Sequence, residues 1–207
     1  MQVVKKVIEY VKNNHPSVTH VFPYGSRVYG TNSSTSDYDF IGVSSNENDE
    51  GQHHISDDVE ITIYSTRLFH EMLIDHHITA LECLWRDNLL DINVPFEFSV
   101  DLQKLRESIS HKVSHCWVKG KKKITVGSEP PRADDRYVGL KSVFHAFRIC
   151  DFGIQIAHFG RIENYSSANK YWEWLSDFDG SWTELSKEFK SRLNTRMSEF
   201  RVLCPKM

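Results

Sequence analysis

Apolar positions along the chain change period once, and that change divides it. Val3, Val4, Val7, Ile8 and Val11 recur at helical spacing, and Asn13, Asn14 and Pro16 close that helix. Thr19 to Tyr24 is rich in strand formers and stops at Gly25. Asp37 to Val43 reads as a second short strand, and Val59 to Tyr64, which alternates apolar and polar residues, as a third. Residues 44–57 (SSNENDEGQHHISD) are polar, acidic and turn-rich, and read as a loop. From residue 65 onward the helical period dominates. Leu68, Met72 and Leu73 form one short apolar face, and Ile78, Leu81, Leu84 and Trp85 another. Segments 101–124, 135–160, 167–176 and 181–203 read as helices, with the Pro-Pro stretch 127–135 as a connection. Three strands are too few for a doubly wound sheet. The expected fold is therefore α/β of the α+β kind: a small mixed-sheet core over residues 1–100, then a helical domain over 101–207.

Composition narrows the function classes. The 207 residues carry 25 Lys and Arg against 28 Asp and Glu, a formal net charge of −3. That balance excludes a protein held to nucleic acid by bulk charge alone, so such contact requires a local basic patch. A 40% hydrophobic share fits a globular chain, and one of this length buries roughly 70% of its unfolded surface. There is no 18-residue apolar run, so no membrane span is expected, and the first residues lack the pattern of a signal peptide. Cys83, Cys116, Cys150 and Cys204 are widely spaced and form no CxxC pair. Reduced thiols in the cytoplasm are the expectation.

The candidate chemistry lies in Pro23-Tyr24-Gly25-Ser26-Arg27-Val28-Tyr29-Gly30, followed by Ser36-Asp37-Tyr38-Asp39-Phe40. Asp37 and Asp39 are two apart on an expected strand, so both carboxylates face one way, about 6.6 Å apart along it. Adjacent carboxylates repel, and a hard divalent cation would relieve that repulsion. A bare DxD is more often solvated than functional. Gly25-Ser26 changes the weighing. The glycine allows close backbone approach, and Ser26 is expected to cap a helix beginning at Arg27, whose free N–H groups would favour phosphate. A third acid is expected on a neighbouring strand. Glu60 lies deeper in the third strand, and Asp58, of the same parity, is the alternative.

Gly25-Ser26, then Asp37-Tyr38-Asp39, then an acid between apolar residues, resembles the DNA polymerase β-type nucleotidyltransferase superfamily. The run GSRVYGTNSSTSDYDFIGV is especially similar to a bacterial and phage branch linked to RNA repair. Ala80-Leu81-Glu82-Cys83-Leu84-Trp85 resembles that branch too. The strong part covers residues 22–64. The resemblance implies that Gly25 and Ser26 hold the triphosphate of an incoming nucleotide, ATP among the candidates. It also implies that Asp37, Asp39 and Glu60 are catalytic and hold two Mg²⁺ ions. The expected reaction is transfer of a nucleoside monophosphate to a hydroxyl, with an RNA end as the preferred acceptor. A protein or small-molecule acceptor is the second reading, and a non-catalytic RNA-binding module the third. No protein partner is indicated.

A basic partner for the triphosphate is also needed. Arg27 is near in sequence, and Lys141 and Arg148 lie seven apart on one expected helix face. Lys119 to Lys123 (KGKKK) is the densest basic cluster; a solvated helix end is the bland account and a nucleic-acid or triphosphate contact the sharper one. Trp117 beside it suits a core position before a stacking one. His111 and His115 have helical metal-ligand spacing, but no acid between them in an HExxH pattern. Tyr171, Trp172 and Trp174 read as an aromatic patch packed against neighbouring helices.

Overall fold

The computed structural model describes residues 2–90 and 95–206. The chain divides into two compact units, Met1–Ser99 and Val100–Met207.

The first unit runs α1 (Gln2–Asn14), β1 (Val18–Tyr24), α2 (Ser26–Tyr29), β2 (Tyr38–Ser44), a 3-10 turn (Glu47–Asp49), β3 (Gly51–Ser56), β4 (Val59–Ser65), α3 (Thr66–Ile74) and α4 (Ile78–Leu84). The four strands form one mixed sheet in the order β1-β2-β4-β3. β2 is antiparallel to β1 and parallel to β4, and β3 is antiparallel to β4. β4 alternates buried and half-buried positions, as its sequence requires. Val59, Ile61 and Ile63 join Val21 and Phe40 on the face that packs against Val7 and Val11 of α1. The strand parity puts Phe22, Asp39, Ile41, Glu60 and Thr62 on the opposite face. There Phe22 stacks toward Phe69 of α3 with ring centroids 6.5 Å apart. The free side of β1 is covered by Asn88, which accepts from the Val21 amide at 2.9 Å and donates to the Thr19 carbonyl at 3.0 Å.

The sheet has four strands where the sequence pattern gives three. The segment expected as a loop over 44–57 contains the 3-10 turn and β3. β3 (GQHHIS) is an edge strand with no buried residue and carries no apolar alternation; its pairing with β4 makes it a strand. Asp49 ties this segment down. Its buried carboxylate accepts from Ser44 Oγ at 2.6 Å and stands 3.0 Å from His15 Nδ1. Burial alone would raise its pKa, but these two partners hold it below the ordinary carboxylate value.

The second unit is helical: α5 (Leu102–Thr125), α6 (Asp135–Phe159), α7 (Asn169–Leu175) and α8 (Trp182–Leu203). α6 is buried on nearly every side, with Phe144, Phe147, Phe152 and Ile156 in the core. Tyr171 of α7 stacks on Phe147 at 4.2 Å, while Trp174 is exposed beneath Arg192. Glycines let α5 and α6 approach closely: a Cβ on Gly120 would lie 3.0 Å from the Gly139 carbonyl oxygen. The connection between them is organised by Asp135, which accepts from Lys123 Nζ at 2.7 Å, the Ser128 amide at 2.6 Å and the Arg132 amide at 3.0 Å. Ser181 and Glu184 form a reciprocal cap at the start of α8. No helix among the described residues is long and apolar enough to cross a membrane, and all four cysteines are buried free thiols.

Candidate active site

The site begins where β1 ends. Gly25 has φ 76° and ψ −162°, a conformation essentially reserved for glycine. The turn is also too crowded for any side chain. A Cβ on Gly25 would lie 1.8 Å from Asp39 Oδ2, so the carboxylate of Asp39 rests directly on the Gly25 backbone. The β1–β2 register produces this contact, because Tyr24 is paired with Asp39.

The turn differs in one detail from its sequence expectation. α2 begins at Ser26, with Gly25 at the capping position and no side-chain cap hydrogen bond. Ser26 is therefore the buried first helical residue rather than a cap preceding Arg27. The physical reason is the glycine backbone, which turns the chain sharply enough for the helix to start at once. The amides of Val28 and Tyr29 donate to the Gly25 carbonyl at 3.0 and 3.3 Å, so within α2 it is the amides of Ser26 and Arg27 that the helix itself does not use.

Asp37 stands one residue before β2 and Asp39 is its second residue. Glu60 of β4 is the parallel partner of Asp39, so the two side chains project from the same face of adjacent strands, about 4.8 Å apart at the backbone. Glu60 accepts from Gln52 Nε2 at 2.8 Å and lies 3.7 Å from His54 Nδ1, both on β3. Asp58 lies in the turn between β3 and β4, where its side chain accepts from Ser56 Oγ and its carbonyl accepts from the Tyr38 amide at 2.8 Å. Glu60 thus shares a rung with Asp39, and Asp58 does not.

Arg27 lies across the segment leading to β2. Its Nε donates to the Asp37 carbonyl at 3.2 Å and its Nη2 to the Ser36 carbonyl at 2.5 Å. Its guanidinium carbon sits 3.7 Å above the Tyr38 ring. These contacts fix the backbone that carries Asp37. A cavity of about 130 Å³ opens beside it, lined by Tyr24, Arg27, Tyr38, Asp39 and Arg86 among others. Arg86 was not singled out from the sequence; its only signal is its place just beyond the Ala80–Trp85 stretch. That stretch also supplies Glu82, 2% exposed, which accepts from the hydroxyl of Tyr29, also 2% exposed. This bond braces the far end of α2 against α4.

Gly25, Ser26, Arg27, Asp37, Asp39 and Glu60 all belong to this end of the sheet in the first unit. Lys141 and Arg148 stand together on α6 in the second unit. His111 and His115 are exposed on α5. Among the described residues, no three His, Cys, Asp or Glu side chains are gathered closely enough to hold a metal ion as they stand. Even so, two carboxylates flanking one strand end, one held against a bare glycine backbone, suit a cation such as Mg²⁺ that keeps water and phosphate ligands.

A family model described as a nucleotidyltransferase domain matches residues 4–113, more than half of the chain. No curated protein matches it.

Proposed function

Because the chain belongs to the nucleotidyltransferase domain family, a family of transferases, we propose that it is a Mg²⁺-dependent enzyme moving a nucleoside monophosphate from a triphosphate, ATP among the candidates, to a hydroxyl at an RNA end. The observation that carries this reading is the seating of Asp39 against Gly25, in register with Glu60. In this reading Asp37, Asp39 and Glu60 are the metal-holding and catalytic acids. Two bound Mg²⁺ ions would supply Lewis-acid activation of the acceptor hydroxyl and charge neutralisation on the leaving pyrophosphate.

The chain's own residues position the reactants. The turn at Gly25 and Ser26 receives the triphosphate on opening amides of α2. Arg27 keeps the Asp37 backbone fixed. RNA is favoured as acceptor by the similarity of GSRVYGTNSSTSDYDFIGV to an RNA-repair branch and by the basic stretch Lys119–Lys123. The four buried thiols support a cytoplasmic setting.

The test is incubation with each α-labelled nucleoside triphosphate and RNA bearing free 3′-hydroxyl ends, with Mg²⁺ and with chelator. The expected result is label in RNA only when Mg²⁺ is present. Label on protein or on a small molecule would replace the RNA acceptor. RNA binding without transfer to any acceptor would leave only a binding module.

A further inference from the structure

In a chain of net charge −3, one pair of helices carries a local excess of positive charge. α5 holds seven Lys and Arg against Glu107 alone, and α8 holds five against three acids. Of those three, Glu184 caps its own helix and Glu199 is paired with Arg196. The two helices pack antiparallel. Arg106, near the start of α5, donates from Nη1 to the Arg201 carbonyl at 3.0 Å and to the Cys204 carbonyl at 2.5 Å, at the end of α8. Farther along α5, Trp117 meets Trp182 edge-on, with ring centroids 5.2 Å apart. A groove follows this seam.

Two openings form the groove, of about 500 and 200 Å³, and they share Ser110 and Arg201. Arg106 and Lys206 line the larger, and Lys190 and Trp117 the smaller. Lys190 and Arg201 are exposed, and neither side chain is held in a hydrogen bond or ion pair among the described residues. The carboxylate on the groove, Glu107, accepts from Gln103 at 3.3 Å. From Arg106 to Trp117 the α5 axis runs about 16 Å at about 1.5 Å per residue, the length of about five stacked nucleotides. The floor decides what lies there. Val113, Leu193 and Met197 are 4%, 5% and 5% exposed, so they offer almost no apolar surface to a docked amphipathic helix. The groove presents instead cations, the hydroxyls of Ser110 and Ser114, the amide of Asn194 and the half-buried ring of Trp117. Those groups match a single strand of RNA: cations for its phosphates, an aromatic ring for a base, and polar groups for its 2′-hydroxyls.

We propose that the groove between α5 and α8 binds single-stranded RNA, with Lys190 and Arg201 on its phosphates and Trp117 against a base. That this strand is the acceptor rests on the nucleotidyl-transfer reading; the binding does not. The cations stand at both openings with uncharged polar groups between them, so the groove takes a strand along its length and not one anion at a point.

The experiment titrates the whole protein into a fluorescein-labelled oligoadenylate of about twelve residues and follows anisotropy over a salt series, without metal or nucleoside triphosphate. The expected result is saturable binding, tighter than that of the matching deoxyoligonucleotide. Lys190→Gln/Arg201→Gln should weaken it at least about tenfold and reduce the salt slope by about 1.4, the share of two phosphate contacts on a single strand. Trp117→Leu, with helicity retained by circular dichroism, should weaken it at least about fivefold. The charge-matched pair Lys6→Gln/Lys12→Gln, exposed on α1, and Asp39→Asn should leave it unchanged. Absence of binding, or equal loss in both charge-matched pairs, overturns the groove. Equal affinity for the deoxyoligonucleotide overturns RNA as its occupant, and so does binding of a labelled Glu- and Leu-rich peptide in place of RNA. RNA binding as expected without label transfer by the wild type would sink the transfer reading alone. Label transfer by Lys190→Gln/Arg201→Gln with unchanged RNA affinity would sink the groove alone.

Discussion

The two units solve opposite electrostatic problems by different means. The first brings carboxylates to one end of a sheet, and it does so through backbone geometry. Strand register sets Asp39 beside both Tyr24 and Glu60, and a glycine that cannot be replaced makes room for the acid. The second pairs opposite charges through side chains: Arg196 with the buried Asp151, and Lys123 with Asp135. The acidic site should therefore fail sharply on single small changes. The paired charges of the second unit should instead cost stability when one partner is removed.

The largest expected effect tests that sharpness. Gly25→Ala places a methyl group where the Asp39 carboxylate lies and forces an unfavourable backbone, with a strain of about 1–3 kcal/mol. Transfer should fall by at least about 100-fold, equivalent to more than ~2.7 kcal/mol of transition-state stabilisation, while circular dichroism still reports the folded mixed sheet. Activity near wild type would break the contrast between the units. Next comes the close packing of α5 against α6. A Cβ on Gly139 would lie 2.6 Å from Ile124 Cγ1 and 3.2 Å from the Gly120 carbonyl oxygen. Gly139→Ala should cost about 1–3 kcal/mol in urea unfolding, read as a lower midpoint.

Much of this contrast was legible in the sequence, for identifiable reasons. The i, i+7 spacing of Lys141 and Arg148 is a local periodicity that survives folding on α6, and Asp39 lies on the expected strand, with Asp37 one residue before it. The edge strand β3 was not legible, because an exposed strand of polar residues is specified by its neighbour β4 and not by its own pattern. Neither was the start of α2 at Ser26, which depends on the Gly25 dihedral angles. That Glu60, and not Asp58, is the strand partner of Asp39 needed the β2–β4 register. The close approach of Gly120 and Gly139 needed the register of α5 on α6, which lies between helices and not within either one. Arg86 and the Tyr29–Glu82 bond are products of tertiary packing, with only the neighbouring Ala80–Trp85 resemblance as a signal.

Two smaller effects sharpen the picture of the second unit. Lys123 first, then Ser128 and the Arg132 amide, hold the Asp135 carboxyl well below its ordinary value of 3.8. The folded state binds this proton less readily than the unfolded chain. The contribution is therefore complete above that ordinary value and is lost as pH falls below it. Asp135→Asn should flatten the acid limb of a stability-versus-pH curve and leave the neutral region lower but parallel. Smaller still is the α8 cap, where Ser181→Ala should cost ~1 kcal/mol, read as a lower urea midpoint with an unchanged slope.

The most direct test of the central claim compares label transfer from an α-labelled nucleoside triphosphate to RNA 3′ ends by the wild-type protein, Asp39→Asn and Asp58→Asn, each verified as folded. The account predicts robust transfer by the wild type and by Asp58→Asn, and loss of at least about 100-fold in Asp39→Asn. Full transfer by Asp39→Asn would contradict the assignment of the acidic sheet end as the catalytic centre.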